Sequence, residues 1–258
     1  MCCPSEPHSA FDLSDTEPVP SNKQLRDTVL GFIVAGRDTT SAALSWIMYE
    51  LSRNPEVVSR LRTELENVVK PTSSSRPNNK NASKDNQKEE PCLWDRVQKL
   101  PYLHAVILEA LRLHPPAPDN FRFAKTKDVL PDGTRIPAGA LVQFSTYAIN
   151  RCEDTWPDPD TFRPERFLGN TTRSEPDDPG QDKSTGIKEP RSANYPVFGL
   201  GPRACPGKNL ALMELKTSVA YLVPRYTFED VAGHNGDYHW TLVMCMKGGF
   251  PVRVKAVQ

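Results

Sequence analysis

The chain has 258 residues, and its 32 Lys and Arg balance its 32 Asp and Glu, so no net field draws it to nucleic acid or anionic lipid. Its 25 prolines are about twice the usual ~5% share and its apolar fraction is low, which marks part of the chain as solvated linker while leaving enough for a core. Fibrous, collagenous and wholly disordered classes are excluded.

Residues 1–20 are rich in Pro and Ser and read as a flexible start without a signal-peptide core. Ser21 offers a helix cap, and Leu25, Val29, Phe32, Ile33, Ala43, Leu44, Ile47 and Leu51 recur at helical spacing until Asn54. Pro55 and Glu56 open a second helix, Val57 to Lys70, with proline at the first position and acid in the first turn. Residues 71–91 hold almost no apolar side chain, cannot offset their ordering entropy, and read as a disordered surface loop. A third helix starts at Leu100-Pro101, carries Leu103, Val106, Ile107, Leu111 and Leu113, and stops at Pro115-Pro116.

Short extended segments follow, Asp128 to Leu130 and Arg135 to Ala148, around a Pro131-Asp132-Gly133 turn; they predict small antiparallel ribbons rather than a parallel sheet. Residues 169–192 form a second polar loop. Pro206 opens a last helix through Val223, with Leu210, Leu212, Met213, Leu215, Val219 and Leu222 apolar, and Tyr238 to Val254 reads as a strand-like run split by Gly248-Gly249. The fold class is mainly α with small antiparallel β-sheets.

The six cysteines show no zinc-ligand spacing and suggest a reduced, intracellular setting. The histidines His8, His104, His114, His234 and His239 form no ligand cluster and read as structural or surface residues. No run reaches the ~18 apolar residues of a membrane span. The chemistry concentrates in Pro196 to Gly207, where turn residues, Arg203 and Cys205 precede an apolar helix. A thiol at a helix start meets unpaired N–H groups and the positive dipole end, so the thiolate is its expected form. Glycines at 199, 201 and 207 remove bulk beside it, which lets a flat cofactor approach the backbone, and such a thiolate is a natural axial ligand for haem iron.

The run Phe198-x-x-Gly201-x-Arg203-x-Cys205-x-Gly207 is similar to the haem-binding signature of the cytochrome P-450 family of haem-thiolate monooxygenases. Three further segments agree in order: Ala35-Gly36-Arg37-Asp38-Thr39-Thr40, Glu109-Ala110-Leu111-Arg112, and Phe162-Arg163-Pro164-Glu165-Arg166-Phe167. Val34 to Trp46 resembles fungal microsomal alkane and fatty-acid hydroxylases. The resemblance covers the chain from about Ser21 onward as the C-terminal half of the P-450 fold, so the chain reads as 1–20 followed by one haem-binding region, 21–258.

That resemblance implies haem b, with Cys205 as the iron ligand, Phe198 packed on the sulfur side, and Gly201 and Gly207 shaping the loop. It implies Arg203 and Arg122 as partners of the haem propionates, and Ala35 and Gly36 beside the haem. It implies Thr39 as the hydrogen-bond donor on the oxygen-binding side and Asp38 as the proton relay; a threonine in mid-helix is also expected to bond back four residues, here from Thr39 to the Ala35 carbonyl. Glu109, Arg112 and Arg166 become a structural triad. The reaction implied is insertion of one atom of O2 into a C–H bond of an apolar substrate. Electrons would come from NADPH-cytochrome reductase docking near Arg203 and Lys208, at the endoplasmic reticulum membrane, although the sequence as read carries no anchor. Substrate contacts are expected from Val34, Ala35, Pro118, Asp119, Leu242 and Val243.

Three other readings compete. Gly199-x-Gly201-x-x-Ala204 loosely fits a dinucleotide fingerprint, but Pro202 and Pro206 remove the donors a pyrophosphate needs. A cysteine-nucleophile hydrolase lacks an arranged base. A truncated, non-catalytic remnant of a cytochrome P-450 is the alternative of a different class.

Overall fold

The computed structural model describes residues 20–69, 93–169, 186–188, 190, 193–231 and 235–257. The flexible start up to residue 19 and the loop 71–91 lie outside these, as does most of the loop 169–192. Within that loop, Ile187 forms an antiparallel bridge with Leu168. By their contacts, residues 1–35 and 36–258 form two units.

Helix α1 spans Asn22–Arg53. In the first unit it opens with a capping box, in which Gln24 N donates to Ser21 Oγ at 3.3 Å and Ser21 N donates to Gln24 Oε1 at 2.8 Å. Leu25, Val29, Phe32 and Ile33, which carry the helical period there, are exposed. In the second unit the same helix buries Ala42, Ala43, Trp46, Ile47 and Leu51. Asn54 turns the chain directly into α2, Pro55–Val69, by donating its side-chain amide to Glu50 O at 2.8 Å and accepting from Val58 N at 3.2 Å.

A short helix, α3 (Leu93–Gln98), precedes α4 (Pro101–Leu113), which is buried from Tyr102 onward. The start of α4 is capped from another element, because Leu100 offers no side-chain cap and Glu64 of α2 instead accepts from Tyr102 N and Leu103 N, both at 2.8 Å. His114 ends α4, and Pro115 cannot continue it.

Among the described residues four two-stranded antiparallel sheets follow: β1 (Asp119–Phe123) with β4 (Leu141–Ser145), β2 (Asp128–Val129) with β3 (Arg135–Ile136), β5 (Tyr226–Asp230) with β8 (Val252–Ala256), and β6 (Tyr238–His239) with β7 (Cys245–Met246). The extended run expected as far as Ala148 ends sooner, at Ser145, whose Oγ accepts from Ala148 N and opens α5 (Thr146–Ile149). The tail is split at Gly248-Gly249 as expected and once more before it, since β6 and β7 pair with each other while β8 pairs with β5.

The last helix, α6, spans Lys208–Leu222. It starts two residues later than Pro206 suggested, because Pro206 and Gly207 form the turn that precedes it. Leu210 on it is 48% exposed rather than core. Leu61, Leu65, Leu103, Val106, Ile107, Leu215 and Val219 bring α2, α4 and α6 into one cluster, each large side chain contributing roughly 1.5–3 kcal/mol when fully buried. No helix among the described residues is long and apolar enough to cross a membrane.

Candidate active site

Two 3₁₀ turns, Pro196–Phe198 and Gly201–Arg203, carry the chain up to Cys205. Gly199 between them has φ +71°, and a Cβ there would stand 3.3 Å from Arg203 O, so the tight return needs glycine. Gly201 has φ +61° with nothing within 4 Å of its Cβ position, which leaves an open face on the loop. Cys205 N donates to Phe198 O at 2.7 Å and Ala204 N to Gly201 O at 3.0 Å, so the backbone is fixed while the thiol stays exposed. Gly207 caps α6 without a side-chain acceptor, and its Cβ position is 3.8 Å from Cys205 Sγ.

The thiol lines a cavity of about 200 Å³. Val197, Phe198, Gly199 and Arg203 come from the same loop, Ala211 and Leu215 from α6, Thr39, Thr40 and Ala43 from α1, Leu111 from α4, Pro116 and Ala117 from the chain leading into β1, and Asn120 from β1 itself. Phe198 also packs against the main core, and Lys208 Nζ lies 5.8 Å above its ring. The structure thus brings Thr39, Phe198, Arg203 and Cys205 to one space.

Other expected residues stand elsewhere. Asp38 is exposed and pairs with Arg37 at 3.8 Å. Arg122 lies in β1 with its guanidinium bonded to Phe121 O at 2.7 Å, although it shares a strand face with the cavity residue Asn120, two positions earlier. Gly201 and Gly207 shape the loop without lining the cavity. Ala35 closes the first unit and Gly36 opens the second. Of the expected substrate contacts, Pro118 is buried, Asp119 accepts from Trp240 Nε1 at 2.6 Å, and Leu242 is 82% exposed. Sequence reading missed Ala43, Pro116, Ala117, Asn120 and Ala211; the available signals were the four-residue steps from Thr39 to Ala43 and from Gly207 to Ala211.

Behind the cavity the triad is assembled. Arg112 donates from Nε and Nη2 to the two Glu109 oxygens at 2.8 and 2.9 Å, and Arg166 Nε donates to Glu109 Oε1 at 3.1 Å. Arg163 N adds a bond to the same oxygen at 2.9 Å. The free edges of both guanidiniums reach the carbonyls of the segment in between: Arg112 that of Pro159, Arg166 those of Pro157 and Asp158.

A mostly apolar space with one soft sulfur donor and one guanidinium suits a flat, iron-bearing dianion with carboxylate arms, so the residues present fit haem. Among the described residues no group of His, Cys, Asp and Glu side chains could hold a bare metal ion instead.

Comparison with known proteins agrees. The family model described as Cytochrome P450 matches residues 11–247. Cytochrome P450 CYP94D109 of Paris polyphylla is 34% identical over 91% of this chain and 42% of its own length. Cytochrome P450 94A2 of Vicia sativa is 36% identical over 89% of the chain and 40% of its own length. Alkane hydroxylase MAH1 of Arabidopsis thaliana is 31% identical over 90% of the chain and 40% of its own length. The chain therefore spans less than half the length of these curated relatives. They are plant proteins, which corrects the fungal reading of Val34 to Trp46: that short run of helix carried too little information to separate kingdoms. The crystal structure of the haem domain of a cytochrome P450DA mutant superposes with a TM-score of 0.73 at 22% identity, covering 95% of this chain and 46% of that one. Motifs, fold and relatives converge, and the chain belongs to the cytochrome P450 family.

Proposed function

We propose that this chain carries the haem-binding and oxygen-side machinery of a haem-thiolate monooxygenase acting on an apolar organic substrate. The observation that carries the reading is the shared cavity, which joins the Cys205 thiol to Thr39 through walls that are mostly apolar. When bound, haem b would supply the insertion of one oxygen atom from O2 into a C–H bond, the other atom leaving as water.

The chain's own residues would hold and serve that group. Cys205 Sγ would be the iron ligand, with Phe198 packed beside it and the Gly199–Gly207 backbone shaped to admit a flat ring. Arg203 would pair with a propionate, and Arg122 with the other after its side chain leaves the Phe121 carbonyl. Ala35 and Gly36 would flank the cofactor on α1. Thr39 Oγ1 would hold a proton at the oxygen side, and Asp38, whose side chain is 62% exposed, would replenish it from solvent. Ala43, Leu111, Pro116, Val197 and Leu215 would exclude water and orient the substrate.

An alkane is the substrate class supported by the printed name of one relative, an alkane hydroxylase. NADPH-cytochrome reductase is the electron donor expected from the family, docking where Arg203 and Lys208 stand exposed, in the setting of the endoplasmic reticulum membrane. No specific observation favours the non-catalytic remnant.

The test is to reconstitute the chain with haem, reduce it under carbon monoxide and record the Soret band. The strongly red-shifted band of thiolate ligation is expected, and Cys205→Ser should abolish it. A haem-loaded chain whose carbonyl band is the same with and without the thiol would remove Cys205 from the iron and end the proposal.

A further inference from the structure

The cavity face of α1 continues into a second, fully packed cluster. Thr39 and Ala43 line the cavity, and Trp46 and Glu50 follow on the same ridge at three- and four-residue steps. His114, the residue that ends α4, meets this ridge. Its ring lies flat on Trp46 with 4.0 Å between centroids and 2° between planes, and Tyr49 approaches it edge-on at 6.2 Å. Its Nε2 is 2.6 Å from Glu50 Oε1, with the two side chains only 13% and 11% exposed.

From there a closed path of bonds returns to the cavity. The Trp46 indole N–H donates to Met244 O at 3.0 Å, and Met244 N donates to Pro116 O at 2.9 Å. Pro116 and Ala117, immediately beyond His114 and Pro115, are cavity wall. The wall segment is therefore tied to α1 twice, once through His114 and once through Met244.

We propose that His114 is a positioning residue, donating Nε2–H to Glu50 while stacked on Trp46 and so setting the Pro116–Ala117 wall against the Thr39 ridge of α1. The latch is a property of the polypeptide; only its purpose rests on the monooxygenase reading. A carboxylate oxygen accepts, so the ring nitrogen that faces Glu50 Oε1 is the donor of the latch. Burial favours the neutral ring and holds the His114 imidazole below its ordinary range, Arg151 and Arg112 act in the same direction, and Glu50 opposes them. Tyr49 is the other titratable group against the ring, and burial pushes its hydroxyl up, so it stays neutral. Phenylalanine at 114 would keep a ring on Trp46 but leave the buried Glu50 Oε1 without its donor, with Asn54 Nδ2 remaining only on Oε2 at 3.4 Å, whereas glutamine would return an N–H near the Nε2 position.

The full chain, labelled for NMR and without haem, tests this in three variants. In His114→Phe the Met244 amide and the Trp46 indole N–H should exchange about tenfold faster, and the Ala117 amide resonance should move. His114→Gln should restore all three toward the parent. Unchanged exchange in His114→Phe, or no recovery in His114→Gln, overturns the proposal. Should His114→Phe fail to fold, Glu50→Gln decides: with the carboxylate charge gone, the His114 ring should titrate at lower pH than in the parent, and an unmoved midpoint refutes the latch. Because no arm needs cofactor, a chain that never binds haem would defeat the monooxygenase reading and leave this one standing.

Discussion

Glu109 and Cys205 both belong to the family motifs, and the fold treats them in opposite ways. Glu109 is fully buried and surrounded by donors: two from Arg112, one from Arg166 and the backbone N–H of Arg163. Cys205 has its backbone tied to Phe198 O, but its sulfur is exposed to a cavity. The protein surrounds the first side chain with partners from its own sequence and leaves the second open to the cavity. On the proposed reading, stability and chemistry fall to different residues.

The largest effect should follow from breaking the closed set. Arg112→Leu leaves Glu109 buried with one guanidinium instead of two and frees the carbonyls of Asn150 and Pro159, which Arg112 now satisfies at 2.8 and 2.7 Å. A loss of about 3–5 kcal/mol is expected, read as a large fall in the urea midpoint. A midpoint close to the parent's would mean that the triad is not the scaffold, and the contrast with Cys205 would dissolve.

The next effect is in the loop itself. Gly199→Ala forces a side chain into the left-handed region and within 3.3 Å of Arg203 O, for an expected cost of about 1–2 kcal/mol. Gly201→Ala has the same sign of φ but open space, so it should cost less while obstructing the face left for a flat ring. The sharpened comparison is a ratio: Gly199→Ala should lower the denaturation midpoint more, and Gly201→Ala should weaken haem uptake out of proportion to its effect on stability.

How much of this was legible depends on whether the cause is local. The limits of α1, α2 and α4 follow from Ser21, Asn54-Pro55 and Pro115, each of which acts on its own backbone, and the structure places these ends within a residue or two of the expectation. The cap on α4 was invisible, because its acceptor, Glu64, comes from another helix and Leu100 gives no hint of it. Strand β5 was missed for a similar reason: Tyr226–Asp230 alternates weakly and is defined by its pairing with Val252–Ala256. At the site, motif spacing located Cys205, Phe198, Arg203 and Thr39, whereas Pro116, Ala117 and Asn120 reach the cavity only because the chain turns after α4. Leu210 shows the converse, an apolar position of the last helix that stays 48% exposed.

A smaller effect concerns pH. His114 is held below the ordinary imidazole value of 6.5, so between that value and its lower folded one the unfolded chain binds a proton that the folded chain refuses. This contribution is fully present above pH 6.5 and is lost as pH falls through that window. Urea midpoints of the parent should therefore drop on acidification more steeply than those of His114→Gln, which has nothing to titrate there. Parallel curves would show that the buried ring is not kept neutral by the fold.

The smallest effect on stability should come from the residue proposed to matter most at the oxygen side. Thr39 is only half-buried, and alanine is the better helix former, so Thr39→Ala should shift the urea midpoint by no more than about 0.5 kcal/mol in free energy. If the hydroxyl belonged to the scaffold in the way Glu109 does, its removal would register there. Its effect should appear instead in the haem-loaded chain supplied with a flavoprotein reductase, as a larger share of NADPH electrons recovered as hydrogen peroxide. A hydroxyl that holds a proton at the cavity is needed only while electrons are arriving, and that is why equilibrium unfolding should hardly sense its loss. Unaltered peroxide yield with unaltered stability would leave Thr39 a bystander on α1 and confine the chemistry of this chain to the loop around Cys205.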